Sequence, residues 1–179
     1  EVPFTAMIEY RDYEARDALV KDIHELVEIA YHDEFILTPK ATNLKPQFRL
    51  DNNVIIFSIF PGVREDLIRH IIDTPQLRSI VMRTFGSGNA PQHPWLISTL
   101  REAARRDKVV VNISQCMQGR VEMGRYDTGY QLQEAGVVSG RDSTVEAAVT
   151  KLMFLQAKYD SAEMVRKMMN QSLCGEITI

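Results

Sequence analysis

Ile80-Val81-Met82-Arg83-Thr84-Phe85-Gly86-Ser87-Gly88-Asn89-Ala90-Pro91 is the stretch that decides how this chain folds. The apolar, β-branched run reads as a strand and the glycine pair as a tight turn. Pro94 then suits the first turn of a helix. Val109-Val110-Val111-Asn112-Ile113-Ser114-Gln115-Cys116 repeats the arrangement and enters a loop that holds Gly119 and Gly124. Strand carboxyl ends and helix amino ends converge at such junctions, and in open α/β sheets small ligands bind there. Two of them side by side predict a crevice.

Working outward, Val54–Phe60 reads as a further strand turned by Pro61-Gly62. Residues 64–73 have helical spacing through Leu67, Ile68, Ile71 and Ile72, ended by Thr74-Pro75. The helix opened by Pro94 runs to about Arg106 on Leu96, Ile97, Leu100 and Ala104. A short helix over 129–135 precedes a fourth strand, 137–139. Ser143-Thr144-Val145-Glu146 matches a capping box, in which hydroxyl and carboxylate satisfy each other's backbone donors. Its helix turns Val145, Ala148, Val149, Leu152, Met153 and Leu155 inward, and a last helix runs from Ser161 to about Leu173. Ahead of the first strand, 15–31 have the spacing of one amphipathic helix, and Pro39, Asn43 and Pro46 punctuate a connector. Strands alternating with helices predict an α/β three-layer sandwich with a four-stranded parallel sheet and helices on both faces. Residues 51–179 form that domain, and 1–50 an N-terminal helix and connector.

The 179 residues suit one domain with an appended segment. A hydrophobic share of 45% allows a core that folds unaided, and a net charge of −3 argues against a nucleic-acid partner. Arg101, Arg105, Arg106 and Lys108 do cluster, but at a helix end, where cations complement the helix dipole. Cys116 and Cys174 make no disulfide framework. No apolar run nears the ~20 residues that a bilayer span needs. Glu1-Val2-Pro3-Phe4 lacks the layout of a signal peptide and begins without Met, as a processed or truncated chain does. A reducing cytoplasm is the expected compartment.

Gly86-Ser87-Gly88-Asn89 is no dinucleotide fingerprint, because Pro91 stands where the third glycine belongs. It also lacks the Gly-Lys-Ser/Thr of a phosphate loop. The residues alone fit either a tight turn or a small polar ligand, for which the Asn89 amide offers both donor and acceptor. Cys116 follows a strand, yet His70 and His93 belong to other segments and no nucleophile-elbow pattern surrounds it. It reads as a small, semi-buried thiol at a strand end. His24, Glu28 and His32 share one helix face beside Asp33, but not at the His-Glu-x-x-His spacing, and that face reads as solvated. Glu122, Arg125, Tyr126, Asp127 and Thr128 form a polar cluster in a glycine-bearing loop. Such a loop reaches either over its own crevice or toward a neighbouring subunit. Met164, Met168 and Met169 read as core fillers.

Taken in order, 80–91, 109–119, 134–142, 144–148, Lys151-Leu152 and 173–176 resemble the C-terminal domain of type I (cytoplasmic) L-asparaginases. Their order and spacing are more specific than any one segment. The resemblance implies hydrolysis of L-asparagine to L-aspartate and ammonia, without cofactor or metal, in a homodimer or tetramer. It also implies that this chain holds no catalytic residue. The family's attacking threonine and its assisting Thr-Asp-Lys group belong to an N-terminal catalytic domain, on Thr-Gly-Gly-Thr and Gly-Thr-Asp-Thr segments that this sequence lacks. The isolated chain is therefore expected to be inactive. By the same resemblance, Asn89, Tyr126 and Glu122 approach the active site of a neighbouring subunit. Arg83 and Cys116 match positions lining an effector site, and a guanidinium holds an α-carboxylate in bidentate fashion; the rest of that site belongs to the absent domain, so an effector pocket in this chain is expected to be incomplete. Two alternatives stand beside this: a non-catalytic amino-acid-binding or protein-interaction module, and a hydrolase built on Cys116.

Overall fold

Strand β1 (Val54–Ser58), strand β2 (Ser79–Thr84), strand β3 (Val109–Ser114) and strand β4 (Val138–Ser139) form one parallel sheet in the order β1-β2-β3-β4. The computed structural model describes residues 46–117, 119–124 and 127–178. The helix expected over 15–31, with His24, Glu28 and His32, lies outside these residues, as does Tyr126.

Helices α1 (Glu65–Asp73), α2 (Pro94–Arg105) and α3 (Asp127–Glu134) connect the strands, and α4 (Val145–Lys158) and α5 (Ala162–Met169) follow β4. The strand order never reverses, so right-handed crossovers must set α1, α2 and α3 on one face. The core reflects this. Ile80, Met82 and Val110 pack with Ile68, Ile72, Leu96, Leu100 and Leu132 of those three helices. Val81, Val109, Val111 and Ile113 point the other way, onto Ala148, Leu152, Leu155, Val165 and Met169 of α4 and α5. The fold is therefore the expected three-layer α/β sandwich. Strands β2 and β3, covered on both faces, are buried almost throughout. Strand β1 is an edge, and its Ile56 is 46% exposed.

Several helix ends differ from the sequence reading. The N-cap of α4 is Thr144, whose Oγ1 accepts from the Ala147 N–H at 3.2 Å, while Ser143 Oγ donates to the Thr144 carbonyl. The cap expected on Ser143 thus moves one residue on. The last helix starts beside Ser161, which serves as its N-cap, but it ends at Met169, well short of Leu173. Its carbonyl and that of Gln171 are taken by Lys151 Nζ instead, at 3.0 and 2.5 Å. Met169 is core, whereas Met164 is 38% exposed.

The basic cluster also resolves into structural contacts. Arg106 bonds Glu102 and Asp73. Lys108 does not stand at a solvated helix end: it is buried and donates to the Thr74 and Leu77 carbonyls at 2.9 and 2.6 Å. Burial pushes its ammonium pKa down. Among the described residues no helix is long and apolar enough to cross a membrane.

Candidate functional site

Successive residues of a strand face opposite sides of the sheet, and this sorts the candidate residues. Thr84 and Asn112 look toward α1–α3 and are completely buried. Thr84 Oγ1 donates to Asn112 Oδ1 at 2.6 Å, and Asn112 Nδ2 donates to the Gly88 carbonyl at 3.0 Å. This short chain of satisfied polar groups fixes the glycine turn to the sheet. Gly88 is required there, since its φ is +102° and a Cβ would lie 2.6 Å from Val121 Cγ1. Phe85 and Asn89 exchange backbone hydrogen bonds, both 2.9 Å, which close the turn.

Asn89 is thereby held at the carboxyl end of β2. Its Oδ1 accepts from Thr128 Oγ1 at 3.0 Å, so the amide's amino end is turned away from α3. The Glu122 N–H donates to the Ser87 carbonyl at 3.0 Å and brings the loop after β3 alongside the turn. Asn89 and Glu122 consequently meet at one end of the sheet, with the Glu122 side chain exposed.

Arg83 has the opposite parity and faces α4. A recess of about 260 Å³ there is lined by Arg83, Gln115, Cys116, Met117, Thr144 and Glu146, among others. Gln115 Nε2 secures its floor by donating to the Ile59 and Arg83 carbonyls at 2.6 and 3.0 Å. Arg83 Nε is buried and has no hydrogen-bond partner among the described residues. A buried guanidinium N–H without an acceptor is uncommon and marks a place for one. Glu146, in the first turn of α4, also lines the recess, so a guanidinium and a carboxylate both border it.

The strand order provides no reversal point, but the two glycine junctions still adjoin, since Ser114 Oγ donates to the Gly86 carbonyl at 2.6 Å; Asn89 and Arg83 serve opposite faces. One expectation is corrected here. Cys116 is exposed, not semi-buried. The described residues lining its recess include no histidine, and Glu146 is the one carboxylate among them. Among the described residues no group of three or more His, Cys, Asp or Glu is placed to hold a metal ion.

Residues 53–169 match the glutaminase/asparaginase C-terminal domain. The chain belongs to this family. L-asparaginase 1 of Escherichia coli (strain K12) is 44% identical over 157 residues, covering 86% of this chain and 46% of that protein. The 60 kDa lysophospholipase of Homo sapiens is 38% identical over 130 residues, covering 72% of this chain and 22% of that protein. The crystal structure of L-asparaginase I from Vibrio cholerae O1 biovar eltor str. N16961 has a TM-score of 0.68 at 41% identity, over 72% of this chain and 39% of that one. The asparaginase C-terminal domain described here thus spans about half the length of these relatives, or less.

A third cluster of this asparaginase C-terminal domain has no local signature in the sequence. Lys151 Nζ lies 2.5 Å from Glu176 Oε1, with the side chains 4% and 9% exposed. Glu176 Oε2 also accepts from the Leu173 and Cys174 N–H groups at 2.9 and 2.8 Å. Burial alone would raise the Glu176 pKa, but the Lys151 hydrogen bond and these backbone donors outweigh it and hold the carboxyl at about 2. The sequence holds one clue: Lys151 stands in the inward stripe of α4 beside Ala148, Leu152 and Leu155, where a lysine requires partners.

Proposed function

We propose that residues 51–179 act as the C-terminal domain of an L-asparaginase, with the attacking hydroxyl supplied from outside residues 46–178. The family match over 53–169 is the observation that carries this reading. In it, Asn89 and Glu122, joined by Tyr126, enter the active site of a neighbouring subunit within a cytoplasmic homodimer or tetramer. The division of labour follows from chemistry: the Asn89 amide donates to a substrate oxygen but cannot attack a carbonyl carbon. Ammonia release from asparagine by the 179-residue chain alone is expected to stay at the no-enzyme background. Turnover by the chain that disappears in Asn89→Ala would overturn the division.

The orphaned Arg83 Nε favours a second role, that of the amino-acid-binding alternative: the recess lined by Arg83 and Cys116 takes an amino-acid carboxylate without the absent domain. Titration calorimetry with asparagine, aspartate and glutamine tests it. Micromolar binding is expected, and Arg83→Ala is expected to weaken it roughly 10- to 100-fold, the value of a charged hydrogen bond. Absence of heat with all three amino acids would sink the recess reading. It would leave the asparaginase assignment untouched.

A further inference from the structure

Beyond the end of α5 the chain does not drift into solvent. It returns across α4. Glu176 is clasped by Lys151 on α4, and Ile177 is buried. The Thr178 N–H then donates to Asp142 Oδ1 at 2.8 Å, and Arg141 Nη1 donates to the Thr178 carbonyl at 3.3 Å. Residues 173–178 thus bridge the middle of α4 and the connection between β4 and α4. That connection leads directly into Ser143, Thr144, Val145 and Glu146, which line the Arg83 recess.

Two observations indicate that this segment sets a position rather than merely filling space. A cavity of about 440 Å³, lined by Ala147, Phe154 and Leu173 among others, lies along α4 beside it. Lys151 and Glu176 form part of its wall, so the ion pair and hydrogen bonds carry the attachment together with buried Ile177. Arg141 has a left-handed φ of 55°, which a non-glycine side chain resists. Such a residue keeps that conformation only where its surroundings over-determine it. Here the Arg141 carbonyl accepts from the Val121 N–H at 2.8 Å, its N–H donates to Ser139 Oγ at 3.1 Å, and its guanidinium holds Thr178.

We propose that residues 173–178 form a strap that fixes the first turn of α4, with Glu176 and Asp142 as positioning residues, and so tunes ligand binding in the Arg83 recess. The tuning of binding rests on the recess reading above; the strap itself does not. When the strap is released, Arg141 loses one of the contacts that hold its left-handed conformation, and the turn that presents Thr144 and Glu146 loosens with it.

Hydrogen–deuterium exchange on the 179-residue chain, with Asp142→Ala and Glu176→Gln, tests the strap without any ligand. Asp142→Ala breaks the far attachment at an exposed carboxylate, so it folds even where the buried change does not. The expected result is at least tenfold faster exchange in peptides covering 143–148, with the centre of β2 unchanged. Exchange unchanged at 143–148, or raised equally in β2, overturns the proposal. Calorimetry with asparagine on the same samples separates the two readings. Binding that weakens at least threefold in Asp142→Ala supports strap and recess together. Wild-type chain that binds nothing while exchange rises locally removes the recess reading and still supports the strap. Binding identical in wild type and variant, despite that local rise, overturns the tuning.

Discussion

Lys151→Met is expected to lower the unfolding free energy of this domain by about 3–5 kcal/mol, the usual consequence of removing one partner from a buried ion pair. Methionine preserves the unbranched stem, so lost packing contributes little. What remains is the Glu176 carboxylate, 9% exposed, facing a hydrophobic helix without its cation. The Met169 and Gln171 carbonyls lose their donor as well. Domains of this size are stable by about 5–15 kcal/mol in all, so the variant should unfold at a visibly lower urea concentration. A change below about 1 kcal/mol would mean that water reaches the pair. The pH dependence gives the same clasp a second signature. The Glu176 carboxyl titrates at about 2 in the folded domain against 4.5 when free. Its contribution is therefore complete above pH ~4.5 and is lost as pH falls toward 2. The gap corresponds to about 3 kcal/mol. Acid unfolding of wild type should show this loss, and Lys151→Met should largely abolish it.

Gly88→Ala is expected to cost about 2–5 kcal/mol, combining backbone strain with overpacking. The φ of +102° opposes any β-carbon, and the added methyl would stand 2.6 Å from Val121 Cγ1 and 3.2 Å from Asn112 Nδ2. Asn112 cannot yield cheaply, because it is buried between Thr84 and the Gly88 carbonyl. Gly86→Ala is the natural control. Its φ is +49°, and a methyl added there would meet no atom within 4 Å. Only the left-handed penalty of about 1–2 kcal/mol then applies. Urea midpoints of the two variants decide the matter. Equal midpoints would mean that the turn moves away from Val121 and that Asn89 is not rigidly presented.

Local pattern is enough to read most of the sheet. The β-branched runs around Val81 and Val111 can only be strands buried on both faces, and the alternation with helices dictates parallel pairing. Helix ends are less legible, because Ser143 and Thr144 are both competent caps and only the path of the backbone chooses between them. At the site, Asn89 stands out because a polar residue on a glycine turn is exposed to view. Thr84 and Asn112 do not, since a hydroxyl and an amide in apolar strands declare a need for partners without naming them. The Lys151–Glu176 clasp is illegible for the same reason: α5 separates its halves, and no local rule links them. The exposure of Cys116 escapes a sequence reading because it depends on how the loop after β3 meets the first turn of α4, two segments that are distant in sequence.

The unreversed strand order has a consequence for how the polypeptide matures. Every crossover helix falls on the same side, so Val81, Val109, Val111 and Ile113 on the opposite side stay uncovered until the last two helices are made. During synthesis from the amino end, half of the interior is finished early while the other half waits as a sticky, water-exposed row. The last two helices, Val145–Lys158 and Ala162–Met169, thus close this sheet, and a ribosome that stalls before them leaves a nascent product prone to aggregation.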